Sequence, residues 1–280
     1  MTRLDKGSIK SFCWYKIPLI SLLVFIFSLG FPNMSSSAQA VFNPSDINIS
    51  EQDFLEEYEE ICGHNCFQNS VEKDEKNSFL DLSKPITNGK PNVKKVALTF
   101  DDGPYTLTDE YLKILQQYDV PATFFLLGMQ VDKYPEKAKN IVDLGFEVGI
   151  HSYAHKQLTK MTSTSVNDDL VKSLKSLKNA TGIESNLFRP PYGAFNKAVI
   201  ETAQKHDLAT VLWNVDPRDW DSNSADSIAN HVIEHTQDGS IILLHEGRDS
   251  TLKALPKIIH GLRERGFEIV FISELLSSHE

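Results

Sequence analysis

The stretch Val96-Ala97-Leu98-Thr99-Phe100-Asp101-Asp102-Gly103-Pro104 is an apolar run that stops on two carboxylates and a turn. Val96–Phe100 has the length of a buried strand, and Gly-Pro is turn chemistry. Residues 109–118 follow with helical amphipathic spacing, and the pair then repeats down the chain. Ala122–Leu127, Phe146–Ile150, Leu187–Phe188, Thr210–Trp213, Ser240–Leu244 and Glu268–Phe271 read as further strands. Residues 134–144, 165–180, 196–206, 225–236 and 252–265 read as the helices between them, with Gly145, Gly182 and Gly266 where helices should stop. Such alternation predicts the α/β class with a mainly parallel sheet, and about seven units suit an open sheet or a distorted, incomplete (β/α) barrel. In either architecture, chemistry collects at the carboxyl ends of the strands.

Every cluster of reactive residues falls on that rim. Asp101-Asp102 ends the first strand, and His151-Ser152-Tyr153-Ala154-His155 follows the third. Arg189-Pro190-Pro191-Tyr192-Gly193 follows the fourth, Asp216-Pro217-Arg218-Asp219-Trp220 the fifth, and His245 ends the sixth. Taken singly, each has an ordinary structural reading: a turn, a surface histidine pair, a rigid Pro-Pro bend, a polar strand cap. Together they divide the work of a metal-assisted hydrolysis. The four-residue spacing predicts His151 and His155 on one face of a helical turn, where both reach one ion. Two imidazoles and one carboxylate hold a divalent cation with coordination sites to spare, and the other member of the Asp101-Asp102 pair is free to act as a base. Amide cleavage also needs an acid to protonate the departing amine, and His245, on another strand, fits that need. Arg189 and Asp219 can tune a carboxylate and a histidine respectively. No Ser or Cys nucleophile motif is present.

These five motifs, TFDDGP, HSYAH, RPPYG, DPRDW and LLH, resemble in order those of the polysaccharide deacetylases, the NodB homology domain of carbohydrate esterase family 4. The resemblance spans residues from about 95 to 275 and implies a distorted (β/α) barrel, a polysaccharide substrate and a divalent metal cofactor. Carried over by position, it implies Asp101 as general base, Asp102, His151 and His155 as metal ligands, and His245 as general acid. Arg189 then positions Asp101, and Asp219 tunes His245. The backbone N–H of Tyr192 would hold the oxyanion, with Trp220 and Leu243 walling the acetyl methyl. Zinc suits these ligands first; cobalt, nickel and iron would also bind. Two departures from the common pattern are Asn186, where many members carry Arg, and Glu246, where many carry Asp. The expected activity is removal of N-acetyl groups from an N-acetylglucosamine polymer such as peptidoglycan, chitin or poly-N-acetylglucosamine. The alternatives are an O-acetyl esterase of the xylan type, a non-catalytic glycan-binding protein and a non-haem iron oxygenase.

Outside this domain the chain changes character. Arg3, Lys6, Lys10 and Lys16 precede an apolar run, Ile17–Phe31, and Ser37-Ala38-Gln39-Ala40 offers a small-x-small cleavage pattern. Residues 1–40 therefore read as a signal peptide, with an uncleaved anchor as the alternative; either reading sends the chain out of the cytoplasm, to a secreted, periplasmic or envelope location. No stable membrane insertion is expected after cleavage. Residues 41–94 read as an acidic extension and linker, with a helix after the capping box at Ser50, and 95–280 as the catalytic domain. Cys62 and Cys66 read as a small local disulfide, or with His64 as part of a metal site.

The formal charge of the 280-residue chain is −10, and loss of residues 1–40 makes it −13. Such a balance excludes a general basic footprint for nucleic acid. No protein partner is implied. His231-Val232-Ile233-Glu234-His235 matches the H-x-x-E-H zinc-peptidase signature, but little chain follows to supply another ligand.

Overall fold

A computed structural model describes residues 81–277. The signal segment, the helix expected after Ser50, and Cys62 and Cys66 lie outside the described residues. Among those described, no helix is long and apolar enough to cross a membrane.

The founding strand is β1 (Lys95–Asp101). Its parallel neighbours are β2 (Thr123–Leu126) and β6 (Ile241–His245), and the sheet continues through β3 (Glu147–Ile150), β4 (Leu187–Phe188) and β5 (Ala209–Thr210). A seventh strand, β7 (Glu268–Ile269), pairs with the start of β1. All registered pairs are parallel, so the carboxyl ends share one rim. The sheet curls into the half-barrel that strand–helix alternation implied.

Period-two alternation builds two cores. Val96, Leu98 and Phe100 of β1 point to the helix layer and join Phe124, Val148, Ile150, Phe188, Ile242 and Leu244 in the larger core. Phe100 stacks on Phe124 at 5.1 Å and meets Tyr111 edge-on at 5.5 Å. Each fully buried aromatic contributes roughly 2–3 kcal/mol by area removed from water. Ala97 faces the barrel interior with Phe125, Leu187, Ala209, Val211 and Ile241. Thr99 and Asp101 continue that inner face toward the rim, so the alternation that buries β1 also aims its terminal carboxylate inward.

The helices that matter for the site are α1 (Thr108–Gln117), α2 (Gly128–Lys133), α3 (Pro135–Asp143), α4 (Ser163–Thr181), α5 (Lys197–Gln204), α6 (Ala225–His235), and α7 (Asp249–Glu264). Thr162, Asn196 and Ser224 cap α4, α5 and α6 by accepting from backbone N–H groups. Gly182 ends α4 at φ +79, the left-handed stop its sequence position implied.

Three features differ from the sequence reading. The six-residue α2 and a final helix, α8 (Ile272–Ser277), were not anticipated, because such short segments carry too few periodic positions to register. The fifth strand stops at Thr210 instead of running to Trp213; beyond it Val211 bridges Ile86 and Val215 bridges Ile242. Residues 82–90, inside the stretch read as linker, also pack: Leu82 and Ile86 lie against the inner core, and Gly89 N–H donates to Gly239 C=O at 2.7 Å. Together, Ile86 and residues 211–215 fill the gap between β5 and β6.

Candidate active site

The rim brings the expected residues together strand by strand. Asp101 on β1 is the direct register partner of His245 on β6. His151 extends β3 by one residue, its N–H donating to Leu126 C=O at 2.8 Å; Arg189 extends β4 likewise, donating to Ile150 C=O at 3.0 Å.

Arg189 is fully buried with Asp101. Its Nη1 donates to Asp101 Oδ1 at 2.8 Å and to Thr99 Oγ1 at 2.7 Å. Nε and Nη2 donate to the carbonyls of Val211 and Leu212, and the guanidinium lies 4.1 Å over the Phe125 ring. Burial raises the Asp101 carboxyl above its ordinary range; Arg189 and His245 oppose that rise without cancelling it. Arg189 does pull the carboxyl down, but its own complete burial with Asp101 lets desolvation win.

Asp102, His151 and His155 present ligand atoms that all lie within 4.8 Å of one another. His155 Nε2 is 3.4 Å and His151 Nε2 3.6 Å from Asp102 Oδ1. His151 Nδ1–H donates to Arg189 C=O at 2.7 Å, fixing the tautomer that leaves Nε2 with its lone pair. Burial pushes the His151 imidazolium down to about 3, against the pull of Asp102, so the ring is neutral and its Nε2 can accept a cation. His155 Nδ1 meets the Tyr192 hydroxyl at 3.2 Å. The buried Oδ1 of Asp102 has no hydrogen-bond partner. An orphaned carboxylate oxygen between two imidazole nitrogens is the donor set a divalent cation satisfies.

The two histidines do not share a helical turn, as their spacing suggested. Residues 151–157 are irregular, with Ser152 at φ +66 and His155 at φ +54. Asp102 (φ +75) and Tyr192 (φ +61) are also left-handed, so strained backbone gathers on the motif loops.

On the opposite side, Asp219 Oδ1 meets His245 Nδ1 at 2.7 Å, and Oδ2 accepts from His245 N–H at 2.8 Å and Thr251 Oγ1 at 2.6 Å. Burial opposes protonation of His245, but the hydrogen bond and charge of Asp219, with Asp101 and Asp102, outweigh it, and the imidazolium is favoured. Glu246 lies buried under the Asp101–Gly103 turn, where Oε2 accepts from Thr108 Oγ1 at 3.1 Å and burial pushes the carboxyl up to about 8. Leu243 is buried on the same face of β6 as His245, whereas Trp220 is 45% exposed beneath the Arg218 guanidinium.

Sequence reasoning missed Thr99 and Thr251, the hydroxyl partners of Arg189 and Asp219. Thr99 carried a signal, since it sits two residues before Asp101 on the same strand face; Thr251, inside a helix on a different segment, carried none. The H-x-x-E-H decoy resolves as a surface pair: His231 and His235 stack at 4.0 Å with only 14° between rings, so their lone pairs do not converge.

Comparison with known proteins finds polysaccharide deacetylases. The family model for polysaccharide deacetylase matches residues 88–211. A peptidoglycan-N-acetylglucosamine deacetylase of Bacillus cereus is 39% identical over 191 residues, covering 66% of this chain and 89% of that protein. The peptidoglycan-N-acetylglucosamine deacetylase PgdA of Listeria monocytogenes is 38% identical over 183 residues, 65% of this chain but only 39% of that longer protein. The crystal structure of a carbohydrate esterase family 4 pseudoenzyme from Bacillus anthracis superimposes with a TM-score of 0.67 at 36% identity, covering 69% of each chain.

Proposed function

Since this chain belongs to the polysaccharide deacetylase family and is a deacetylase, we propose that it removes N-acetyl groups from N-acetylglucosamine in peptidoglycan, using a divalent ion and an Asp101/His245 pair. The observation that carries the reading is the direct register of Asp101 with His245 beside the Asp102, His151 and His155 cluster. That arrangement sets a proton acceptor and a proton donor around one reacting centre. The relatives' peptidoglycan substrates supply the polymer.

Asp102, His151 and His155 would hold the ion, zinc by ligand type, and when bound it supplies an electrophile that polarises the acetamide carbonyl and acidifies water. Asp101, hydrogen-bonded on Oδ1 by Arg189, keeps Oδ2 to take the proton from attacking water. The Tyr192 backbone N–H donates to the tetrahedral oxyanion. His245, held at Nδ1 by Asp219, delivers its proton from Nε2 to the sugar nitrogen, without which the amine does not leave. Leu243 and Trp220 receive the acetyl methyl. Residues 1–40 export the chain, and the 41–94 extension, whose residues 82–90 pack against the barrel, joins that signal to the 95–280 domain, so the enzyme works outside the cytoplasm on the cell wall.

The test is acetate release by purified, zinc-loaded protein from peptidoglycan glycan strands, chitin oligomers, poly-N-acetylglucosamine and acetylated xylan. Release from peptidoglycan, lost on chelation and restored by zinc, is the expected result. Turnover of acetylated xylan alone would refute the amide reading, and turnover of chitin alone would refute the polymer.

A further inference from the structure

The loop that carries both histidine ligands cannot hold its own shape. Ser152 and His155 are β-carbon-bearing residues in left-handed backbone, a conformation that costs roughly 1–2 kcal/mol per residue unless its surroundings impose it. Those surroundings are supplied by two helices outside the five motifs. From α4, the Asp169 carboxylate accepts from Tyr153 N–H at 2.7 Å, and the buried Ser173 hydroxyl donates to Ser152 C=O at 3.0 Å. From the start of α2, Gly128 N–H donates to Ser152 C=O at 3.1 Å and Met129 N–H to Tyr153 C=O at 2.9 Å. Ser152 Oγ closes the set by accepting from His155 N–H at 3.1 Å.

The Tyr153 side chain is pinned between the same helices. Lys172 of α4 sits 3.7 Å over its ring, and its hydroxyl meets Asp132 of α2 at 3.0 Å. The fit is close: a Cβ on Gly128 would come within 2.6 Å of the Tyr153 ring and 3.1 Å of Ser173 Cα.

We propose that Asp169 and Ser173 are positioning residues that preform the His151–His155 ligand loop, so that both imidazoles converge before an ion arrives. The reasoning rests on the metal-binding role given above to Asp102, His151 and His155. Asp169 is the more telling of the two, because its carboxylate is the acceptor for an N–H midway between the ligands. Partners that hydrogen-bond a metal ligand directly are worth about 10- to 100-fold in metal affinity, and Asp169, which acts one step further out through Tyr153 N–H, is expected at the lower end of that range.

Zinc affinity of wild-type protein, Asp169→Ala, Asp169→Asn and Ser173→Ala would be measured by competition with a chromophoric chelator, and Tyr153 amide exchange would be followed without metal. Expected is a 10-fold or greater loss of affinity in Asp169→Ala with faster Tyr153 exchange, a smaller loss in Ser173→Ala, and near wild-type behaviour in Asp169→Asn, whose amide oxygen still accepts. Unchanged zinc affinity and unchanged Tyr153 exchange in a folded Asp169→Ala would overturn the proposal, as would an Asp169→Asn variant as weak as Asp169→Ala. Absence of zinc binding by the wild type would instead refute the metal-site reading, and the exchange arm would still decide whether Asp169 orders the loop.

Discussion

Replacing Arg189 with Met should produce a stability defect that depends on pH. The side chain is entirely buried, and its removal leaves Asp101 buried without its cation, with Thr99, Val211 and Leu212 losing donors. Breaking a buried ion pair on one side typically costs about 3–5 kcal/mol. Protonation limits the electrostatic part of that cost. An unfolded Asp ionises near 3.8, so keeping Asp101 protonated at pH 7 costs a little over three pKa units at 1.36 kcal/mol each, about 4 kcal/mol. At pH 4.5 the same contribution is about 1 kcal/mol. The sign follows from a folded-state pKa raised above the unfolded one: stability is full below pH 3.8 and falls as pH rises toward the folded value, and losing Arg189 widens that window. Urea unfolding of chelator-treated wild type, Arg189→Met and Asp101→Asn/Arg189→Met at pH 4.5 and 7 would measure it. The single variant should be about 3–5 kcal/mol less stable at pH 7 and recover roughly 2–3 kcal/mol at pH 4.5, while the double variant shows little pH dependence. In kinetics, the acid limb of kcat/KM for Arg189→Met should move to higher pH, because the base now holds its proton longer. Equal defects at both pH values would refute the ion-pair account.

Two further variants probe the rest of the rim. Asp219→Asn removes the charge that favours the His245 imidazolium, so the alkaline limb of the pH–rate profile should shift down and kcat fall about 10²- to 10⁴-fold; an unmoved alkaline limb would remove Asp219 from that role. Gly149→Ala places a methyl 2.6 Å from the Phe125 ring and 3.1 Å from Leu187 Cβ, and overpacking there should cost about 1–3 kcal/mol in chemical denaturation. Since Phe125 supports the Arg189 guanidinium, acetate release should fall as well, and a fully active Gly149→Ala would show that the two are independent.

Much of this was legible residue by residue. Val96–Phe100 and Ile241–Leu244 declared themselves as strands by apolar runs, and the amphipathic spacing of 109–118 and 165–180 declared helices, because both patterns are local consequences of backbone period. The residue types were legible too: paired carboxylates, two histidines four apart and a third on another strand are the groups from which an acid, a base and metal ligands are drawn. The His151–His155 loop shows where local reading stops. Spacing of four is compatible with a helix, but Asp169, Ser173, Gly128 and Met129 take up the loop's backbone groups and hold it in a left-handed shape no short-range rule anticipates.

By itself, then, the sequence determined a parallel α/β sheet whose carboxyl rim carries Asp101, Asp102, His151, His155, Arg189, Asp219 and His245. Only the tertiary structure decided that Asp101 stands in register with His245, that Arg189 is buried deeply enough for desolvation to raise its partner's pKa, and that Ile86 and residues 211–215 fill the gap between β5 and β6. The physical reason is range. Hydrophobic period and turn chemistry act over a few residues, whereas register, burial and the partner of a buried charge depend on segments far apart in the chain that meet only when the barrel curls.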